Sequence, residues 1–350
     1  MIDQMQTRSP HAPETPVTRV RVLIVDDSAF MRRVVRTALE SDPRIEVVDT
    51  ARNGREGLAR AELLRPDVIT LDIEMPEMDG LAALRAIRMR CRNPRPAVIM
   101  CSSLTSSGSH EVLQAMRLGA ADVIAKDPKA LGANQRAFRD ELVAKVLALA
   151  PKTRPHGVSV AARRTAPNAG TTPVSPLPPV RAADWDLVVI GSSTGGPPVL
   201  EAVLCTLPAD TRVPIVVAQH MPAMFTRSLA QRLDQYAAMS AVLAEDGMPL
   251  LPGTIYIGEG GLHTRIRRGV GRALALEVSR EPAEALYHPS VNELFGSAAR
   301  VCGSRTLGVM LTGMGEDGVH GARDLVAAGG RVIAQHERSC VVYGMPRAVV

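Results

Sequence analysis

Aromatic residues, long apolar runs and paired cysteines are all scarce in this chain of 350 residues. Phe, Trp and Tyr make up 3% of the sequence, which argues against nucleic-acid binding by stacking on bases. No apolar run approaches the ~20 residues that cross a bilayer, and residues 1–18 lack the apolar core of a secretory signal. The five cysteines are odd in number and form no C-x-x-C pair, so we expect reduced, mostly buried thiols. We therefore expect a soluble, cytoplasmic protein that is not embedded in a membrane.

Acidic residues are missing from residues 151–183, a stretch that holds seven prolines and five Lys or Arg residues. The formal net charge of the chain is +5, and much of this excess lies here. Such a segment cannot bury enough surface to order itself, so it predicts a semi-extended basic linker better than a nucleic-acid groove. An acidic partner surface remains open. The sequence thus divides into a disordered N-terminus (1–18), a first domain (19–148), a linker (149–183) and a second domain (184–350).

Short apolar runs alternate with helical patterns on both sides of the linker, which predicts parallel sheets covered on both faces. The expected fold class is therefore α/β, with two doubly wound parallel-sheet domains. Helices are predicted at residues 29–40 and 54–64. Strands are predicted at residues 20–25, 45–48, 68–71, 97–100 and 122–125 in the first domain, and at 187–190, 214–218, 254–257, 307–311 and 331–334 in the second.

Acidic side chains end two of the predicted strands in the first domain. Asp26 and Asp27 follow the first strand and Asp72 follows the third, so the carboxyl edge of the sheet would bring three carboxylates together. Like charges held close need a cation, and oxygen ligands suit Mg²⁺. Ser102 and Lys126, at the ends of the next two strands, add a hydroxyl and an ammonium group, which suits phosphoryl transfer to Asp72. Aspartates that merely cap the following helices are the alternative, but the full set makes it improbable.

A glycine-rich turn, residues 191–196, closes the first predicted strand of the second domain. Gly191, Ser193 and Gly195 form a Gly-x-Ser-x-Gly sequence, which can expose one serine hydroxyl at a sharp strand-to-helix turn. The same kind of turn can cradle a phosphate at a helix N-terminus. The turn by itself therefore leaves open a nucleophile and a phosphate-binding loop.

A serine nucleophile needs a general base and a residue that orients the base. His220 ends the next predicted strand and is better placed than four other histidines. Asp317 lies in a glycine-rich loop, residues 312–318, whose free N–H groups could form an oxyanion hole. Asp317 could instead simply cap a helix, and Glu316 is the rival carboxylate. The histidines placed less directly at strand ends are His263, His288, His320 and His336.

The first domain resembles a two-component receiver domain from about residue 20 to 148. The resemblance implies that a histidine kinase phosphorylates Asp72, and that Asp26, Asp27, Asp72 and the backbone carbonyl of Glu74 hold Mg²⁺. Two residues depart from the receiver pattern: Asp127 stands where proline is usual, and Val123 where an aromatic residue is common. The matching stretches are Val22-Leu-Ile-Val-Asp-Asp-Ser28, Leu71-Asp-Ile-Glu-Met-Pro-Glu-Met-Asp-Gly80 and Val98-Ile-Met-Cys-Ser-Ser103.

The second domain resembles the catalytic domain of chemotaxis protein-glutamate methylesterases, the CheB family. The resemblance implies Ser193 as nucleophile, His220 as general base, Asp317 as its orienting residue, and Met314 and Thr194 in the oxyanion and substrate loop. It implies no cofactor in the hydrolase site, and a C-terminus shorter than usual. The matching stretches are Ile190-Gly-Ser-Ser-Thr-Gly-Gly-Pro197, Gln219-His-Met-Pro222, Pro289-Ser-Val-Asn-Glu-Leu-Phe295, Leu311-Thr-Gly-Met-Gly-Glu-Asp-Gly318 and Cys340-Val-Val-Tyr-Gly-Met-Pro-Arg347.

The two resemblances imply a flavodoxin-like receiver followed by a Rossmann-like three-layer α/β/α methylesterase domain. The expected function is a phosphorylation-activated serine hydrolase that demethylates chemoreceptor glutamate esters, releasing methanol, and deamidates receptor glutamines. Its expected partners are a histidine kinase and methylated chemoreceptors, with no nucleic acid, and we expect a monomer. The unphosphorylated receiver is expected to pack over the catalytic cleft. The alternatives are a receiver fused to a nucleotide- or phosphate-binding module, and a non-catalytic phosphate sink.

Overall fold

The first domain is built on a five-stranded parallel sheet in the order β2-β1-β3-β4-β5. The computed structural model describes residues 19–103, 106–126, 135–151, 185–269, 271 and 273–350. All five predicted strands of the first domain are present, and the central strands are buried on both faces, as in doubly wound sheets. The strands are β1 (Val20–Val25), β2 (Ile45–Ala51), β3 (Val68–Asp72), β4 (Ala97–Ser103) and β5 (Asp122–Lys126).

The first three helices of the first domain follow strands and begin at clear capping residues. The side chains of Ser28 and Asn53 accept hydrogen bonds from the first turns of α1 and α2, which cover 29–40 and 54–64 as predicted. Asp79 caps α3 in the same way. The helices are α1 (Ala29–Glu40), α2 (Gly54–Leu64), α3 (Gly80–Arg90), α4 (Ser106–Arg117) and α5 (Gln135–Leu149).

The second domain contains a six-stranded parallel sheet in the order β13-β12-β6-β7-β9-β8. The chain order reverses between β6 and β12, so the carboxyl ends of these neighbouring strands form a crevice. Strand β7 starts one residue later than predicted, because Pro214 has no N–H group to donate to the ladder. The strands of this sheet are β6 (Leu187–Ser192), β7 (Ile215–Gln219), β8 (Ser240–Leu243), β9 (Thr254–Ile257), β12 (Thr306–Met310) and β13 (Arg331–Ala334).

An antiparallel hairpin lies outside the two parallel sheets and was not predicted. It pairs β10 (His263–Arg268) with β11 (Leu274–Ser279). Buried Thr264 and Ile266 alternate along β10 with arginines, so this strand lacks a continuous apolar run. The short edge strand β8 was missed as well. The helices of the second domain are α6 (Gly196–Leu204), α7 (Ala223–Tyr236), α8 (Val291–Cys302), α9 (Val319–Ala327) and α10 (Met345–Val349).

The two domains are in direct contact through α4 of the first and α6 and α7 of the second. One apolar cluster contains residues of both domains, including Met116 on α4 and Phe225 on α7. Arg117 lies 3.6 Å from the carboxylate of Glu201 on α6. The fold class is as predicted, whereas the N-terminus, most of the linker and Asp127 lie outside the described residues. Within the described ranges, no helix is both long and apolar enough to cross a membrane.

Candidate active site

The serine turn, residues 191–196, leaves β6 at the point where the strand order reverses. Gly195 has φ +76°, which an L side chain rarely adopts, and it directly precedes α6. The N–H of Ser193 donates to Thr312 and that of Gly196 donates to Ser193, so two amides of the turn are already occupied. A Cβ atom on Gly196 would lie 2.1 Å from Oε1 of Gln219, so the protein's own side chains fill the turn. These contacts disfavour a phosphate cradle and leave the partly exposed Ser193 as the group at the surface.

His220 follows β7, next to the serine turn, and its backbone N–H donates to the carbonyl of Ser192. Its ring Nε2 lies 2.8 Å from Oδ2 of Asp317, on the loop after β12. Because the ionised carboxylate can only accept a hydrogen bond, Nε2 carries the proton and the lone pair of the neutral imidazole resides on Nδ1. Nδ1 has no hydrogen-bond partner among the described residues, so it is the free basic atom of this pair.

Asp317 is 7% exposed and accepts four hydrogen bonds. Besides His220, its carboxylate accepts from the hydroxyl of Ser290 at 3.0 Å and from the amides of Val291 and Asn292 at 2.7 and 3.1 Å. Burial raises the pKa of Asp317, but the hydrogen bonds from His220 and from the two amides outweigh it and hold the pKa below 3.8. Asp317 therefore orients His220 and also satisfies the first turn of α8.

The glycine-rich loop, residues 312–318, lies against the serine turn. A Cβ atom on Gly313 would lie 2.9 Å from the Cβ of Ser193, so only glycine lets this loop approach so closely. In the described part of the chain, no hydrogen bond uses the N–H of Met314, which leaves this amide free to donate to a bound group. Thr194 is placed differently, because its hydroxyl donates to Asp122 of the first domain at 2.5 Å.

Three residues that support this site were not singled out from the sequence. Gln219 donates to the carbonyls of Ser193 and His220, and Thr312 donates to Thr194 while accepting from the segment after Cys340. Ser290 holds Asp317. The only sequence signal was their presence within the matched motifs, because a polar residue that braces a loop has no periodic pattern.

Two of the rival residues, Glu316 and His263, form no part of the His220–Asp317 pair. Glu316 is exposed, and the carboxylate that bonds His220 is that of Asp317 instead. His263 is buried, donates through Nε2 to the carbonyl of Pro282 and accepts at Nδ1 from the amide of Ser290. Burial lowers the pKa of His263, which suits a neutral structural histidine.

The acidic pocket of the first domain lies at the carboxyl ends of β1 and β3. Nζ of Lys126 is 2.5 Å from Oδ2 of Asp26 and 2.7 Å from Oδ2 of Asp72. Oxygen atoms of Asp26, Asp27 and Asp72 all lie within 4.8 Å of one another. Burial raises the pKa of the Asp72 carboxyl, and Lys126 only partly offsets this effect. The single ammonium group of Lys126 contacts two of the three clustered carboxylates, and this charge imbalance with an oxygen-only donor set fits a hard divalent cation.

The remaining residues predicted for this pocket take different positions. Glu74 lines the same cavity of about 300 Å³ as the aspartates and Lys126. Ser102 is buried on β4, in register with Ala125 beside Lys126. Val123 is buried in β5, so the aromatic position of the receiver pattern is filled here by a core side chain.

Two family profiles match the chain in succession. The profile described as response regulator receiver domain matches residues 22–133, and the profile described as CheB methylesterase matches residues 188–350. Together they account for both parallel sheets and for both groups of converging polar residues.

Curated relatives align with nearly the whole chain. Protein-glutamate methylesterase/protein-glutamine glutaminase 1 of Oleidesulfovibrio alaskensis is 49% identical, covering 95% of this chain and 93% of that protein. Protein-glutamate methylesterase/protein-glutamine glutaminase 2 of Nitratidesulfovibrio vulgaris is 46% identical with the same coverage. The protein of that name in Halalkalibacterium halodurans is 43% identical over 95% of this chain and 92% of its own length. The chain therefore belongs to the CheB family of protein-glutamate methylesterases/protein-glutamine glutaminases, with a response regulator receiver domain ahead of its CheB methylesterase domain.

Proposed function

We propose that this protein is a phosphorylation-controlled serine hydrolase that removes methyl groups from chemoreceptor glutamate esters and deamidates receptor glutamines. The observation that carries the proposal is the buried His220–Asp317 pair beside Ser193 at the sheet crevice. The names of the curated relatives supply the substrate class.

Each residue has a role in ester hydrolysis. Oγ of Ser193 attacks the γ-carbonyl carbon of the methylated glutamate while Nδ1 of His220 takes the hydroxyl proton. The N–H of Met314 stabilises the negative charge on the carbonyl oxygen, and Asp317 stabilises the imidazolium. Collapse of the tetrahedral intermediate breaks the C–O bond, and His220 returns the proton to the departing methanol. Water then attacks the acyl-enzyme by the same route and restores Ser193.

Deamidation of glutamine follows the same sequence of steps. The leaving group is ammonia instead of methanol, and it takes the proton held by His220. Both reactions end in a glutamate carboxylate, so one site accounts for the two activities in the names of the relatives.

We propose that the receiver domain controls this site through phosphorylation of Asp72 by a histidine kinase. Lys126 contacts Asp72 and would neutralise oxygens of the phosphoryl group. Receiver domains require Mg²⁺ for phosphorylation, and the carboxylates of Asp26, Asp27 and Asp72 with the carbonyl of Glu74 would hold it here. The bound ion supplies positive charge against the transferred phosphoryl group.

Free thiols at all five cysteines support a reducing, cytoplasmic location.

The direct test is methanol release from receptor-containing membranes methylated with a labelled methyl group. We expect release by the purified full-length chain, and faster release when a small phosphodonor and Mg²⁺ are added. Absence of methanol release under both conditions would contradict the proposal. Stabilisation by nucleotide without release would instead support a nucleotide-binding module.

Substitution of the phosphorylated residue tests the control step. In Asp72→Asn the amide cannot accept a phosphoryl group, so the ratio of rates with and without phosphodonor is expected to fall to about one. Asp140→Asn, an exposed change on α5, is the control and should keep the stimulation. Full stimulation of Asp72→Asn would remove Asp72 from its proposed role.

A buried hydrogen bond between Thr194 and Asp122 connects the methylesterase domain to the receiver domain. Thr194 directly follows the nucleophile, and Asp122 begins β5, the strand that ends at Lys126 in the phosphorylation pocket. Asp122 also accepts from Lys145 and from its own strand, which holds the carboxylate in place. The receiver therefore contacts the serine turn directly, at Thr194. The large cleft beside Asp317 is lined by residues of the second domain.

Loss of this bond is expected to raise the rate without phosphodonor. Thr194→Val removes the hydroxyl at nearly constant volume, and a hydrogen bond to a buried carboxylate is worth about a tenfold to hundredfold change in the population of the arrangement in which the receiver contacts the serine turn. Methanol release without phosphodonor should rise by that factor, while Thr194→Ser stays near the wild-type rate. A fall in both the basal and the stimulated rate of Thr194→Val would instead place the hydroxyl in substrate binding.

A further inference from the structure

Tyr287 lies flat against the imidazole ring of His220. The two ring centroids are 4.2 Å apart and the planes differ by 3°. The Tyr287 hydroxyl lies 3.2 Å from the point that a Cβ atom on Gly315 would occupy. Burial, with the charges of Asp317 and Glu316, raises the pKa of Tyr287, so the phenol stays neutral at physiological pH. Tyr287 thus fills the space between the general base and the glycine-rich loop.

The hydrogen bonds of His220 do not by themselves fix the plane of its ring. Asp317 bonds Nε2, while Nδ1 has no partner in the described part of the chain. With the ring bonded to Cβ and held by Asp317 at Nε2, it can still turn about the axis that joins these two atoms. Such rotation would move Nδ1, the atom proposed to take the proton of Ser193. A parallel aromatic ring in contact with one face prevents this movement.

The segment that carries Tyr287 is itself well anchored. Three residues further on, Ser290 donates its hydroxyl to Asp317 and its amide to Nδ1 of His263. The stacked ring and the support of Asp317 therefore come from the same short segment. The position of Tyr287 relative to His220 is consequently set by the same contacts that place Asp317.

We propose that Tyr287 is a positioning residue that holds the His220 ring in plane and stabilises the imidazolium formed during the reaction. The inference rests on the proposed function, because it assumes that His220 takes the proton of Ser193. A cation is attracted to the face of an aromatic ring, and this attraction is strongest where water is excluded. The His220 imidazole becomes charged only as Ser193 attacks. The contact with Tyr287 therefore stabilises the transition state more than it strengthens substrate binding.

The test compares Tyr287→Leu with Tyr287→Phe in the full-length chain, with methanol release from methylated receptor as the readout. Tyr287→Leu keeps an apolar side chain but removes the aromatic face, and we expect kcat to fall about tenfold with KM within about twofold. Tyr287→Phe keeps the face and should remain within about twofold of the wild type. Tyr287→Met, which is flexible and not aromatic, replaces the leucine variant if that protein does not fold.

A second readout does not depend on methanol release. In ¹⁵N spectra of the imidazole groups, we expect His220 of the wild type and of Tyr287→Phe to be a single species protonated at Nε2. We expect exchange broadening or mixed tautomers in Tyr287→Leu. An unchanged kcat and an unchanged spectrum in Tyr287→Leu would overturn the inference. A loss as large in Tyr287→Phe would also overturn it, because the hydroxyl and not the ring would then carry the effect. If the wild type released no more methanol than Ser193→Ala, the proposed function would fail, and the spectra would still decide the role of Tyr287.

Discussion

Replacement of Ser193 by alanine is expected to lower methanol release by at least about 10³-fold. Alanine removes the oxygen proposed to form the acyl-enzyme, while the turn, His220 and Asp317 stay in place. Their remaining contribution is binding and oxyanion stabilisation, which leaves only a small residual rate. Release can be followed as labelled methanol from methylated receptor membranes, with phosphodonor present so that the wild-type rate is maximal.

Ser192 provides a matched control one residue away. Its hydroxyl is completely buried and has no hydrogen-bond partner among the described residues, so alanine removes no bond there. We expect Ser192→Ala to retain most of the wild-type rate, with a change of only a few fold. If Ser193→Ala were active and Ser192→Ala inactive, the nucleophile would be assigned to the wrong serine of the turn.

Replacement of Asp317 by asparagine is expected to lower kcat by about 10³- to 10⁴-fold, as in other serine hydrolases that lose the orienting acid. Each carboxylate oxygen of Asp317 accepts two hydrogen bonds, from donors that include His220, Ser290 and the amide of Val291. In asparagine an NH₂ group replaces one of these oxygens. Whichever way the amide is turned, this NH₂ group faces two donors and cannot accept their hydrogen bonds. The variant therefore either disorients His220 or loses contacts at the start of α8.

The same substitution is expected to lower the melting temperature. The folded-state pKa of Asp317 lies below 3.8, so its ionisation stabilises the fold at neutral pH. This contribution is present above the unfolded-state pKa and is lost as the pH falls from 3.8 through the lower folded-state value. Wild type and Asp317→Asn should therefore differ in melting temperature at pH 7 and converge at strongly acidic pH.

Glu316→Gln is the control for Asp317→Asn. Glu316 is the adjacent carboxylate and is exposed. The four hydrogen bonds that hold the orienting carboxylate all go to Asp317. We expect its activity and melting temperature to stay close to those of the wild type. A loss of kcat in Glu316→Gln equal to that of Asp317→Asn would favour Glu316 as the orienting residue.

Much of the fold follows from local pattern. Buried parallel strands are continuous apolar runs, and both domains show them at the predicted places. The hairpin β10–β11 escaped prediction because Arg265 and Arg267 interrupt its apolar residues, and its burial on one face depends on packing against α8. The edge strand β8 is only four residues long, too short for a periodic signal.

The sequence by itself determined the kinds of chemistry available and the strand ends at which they occur. Asp26 and Asp72, and Ser193 and His220, follow strands that any parallel sheet would bring to one edge. Only the tertiary structure decided which groups touch. The bond from Asp317 to His220, the ring of Tyr287 on that histidine and the reach of Asp122 to Thr194 each join residues far apart in the chain. Such contacts depend on strand order and side-chain direction, which are properties of the packed molecule and leave no periodic trace in the sequence.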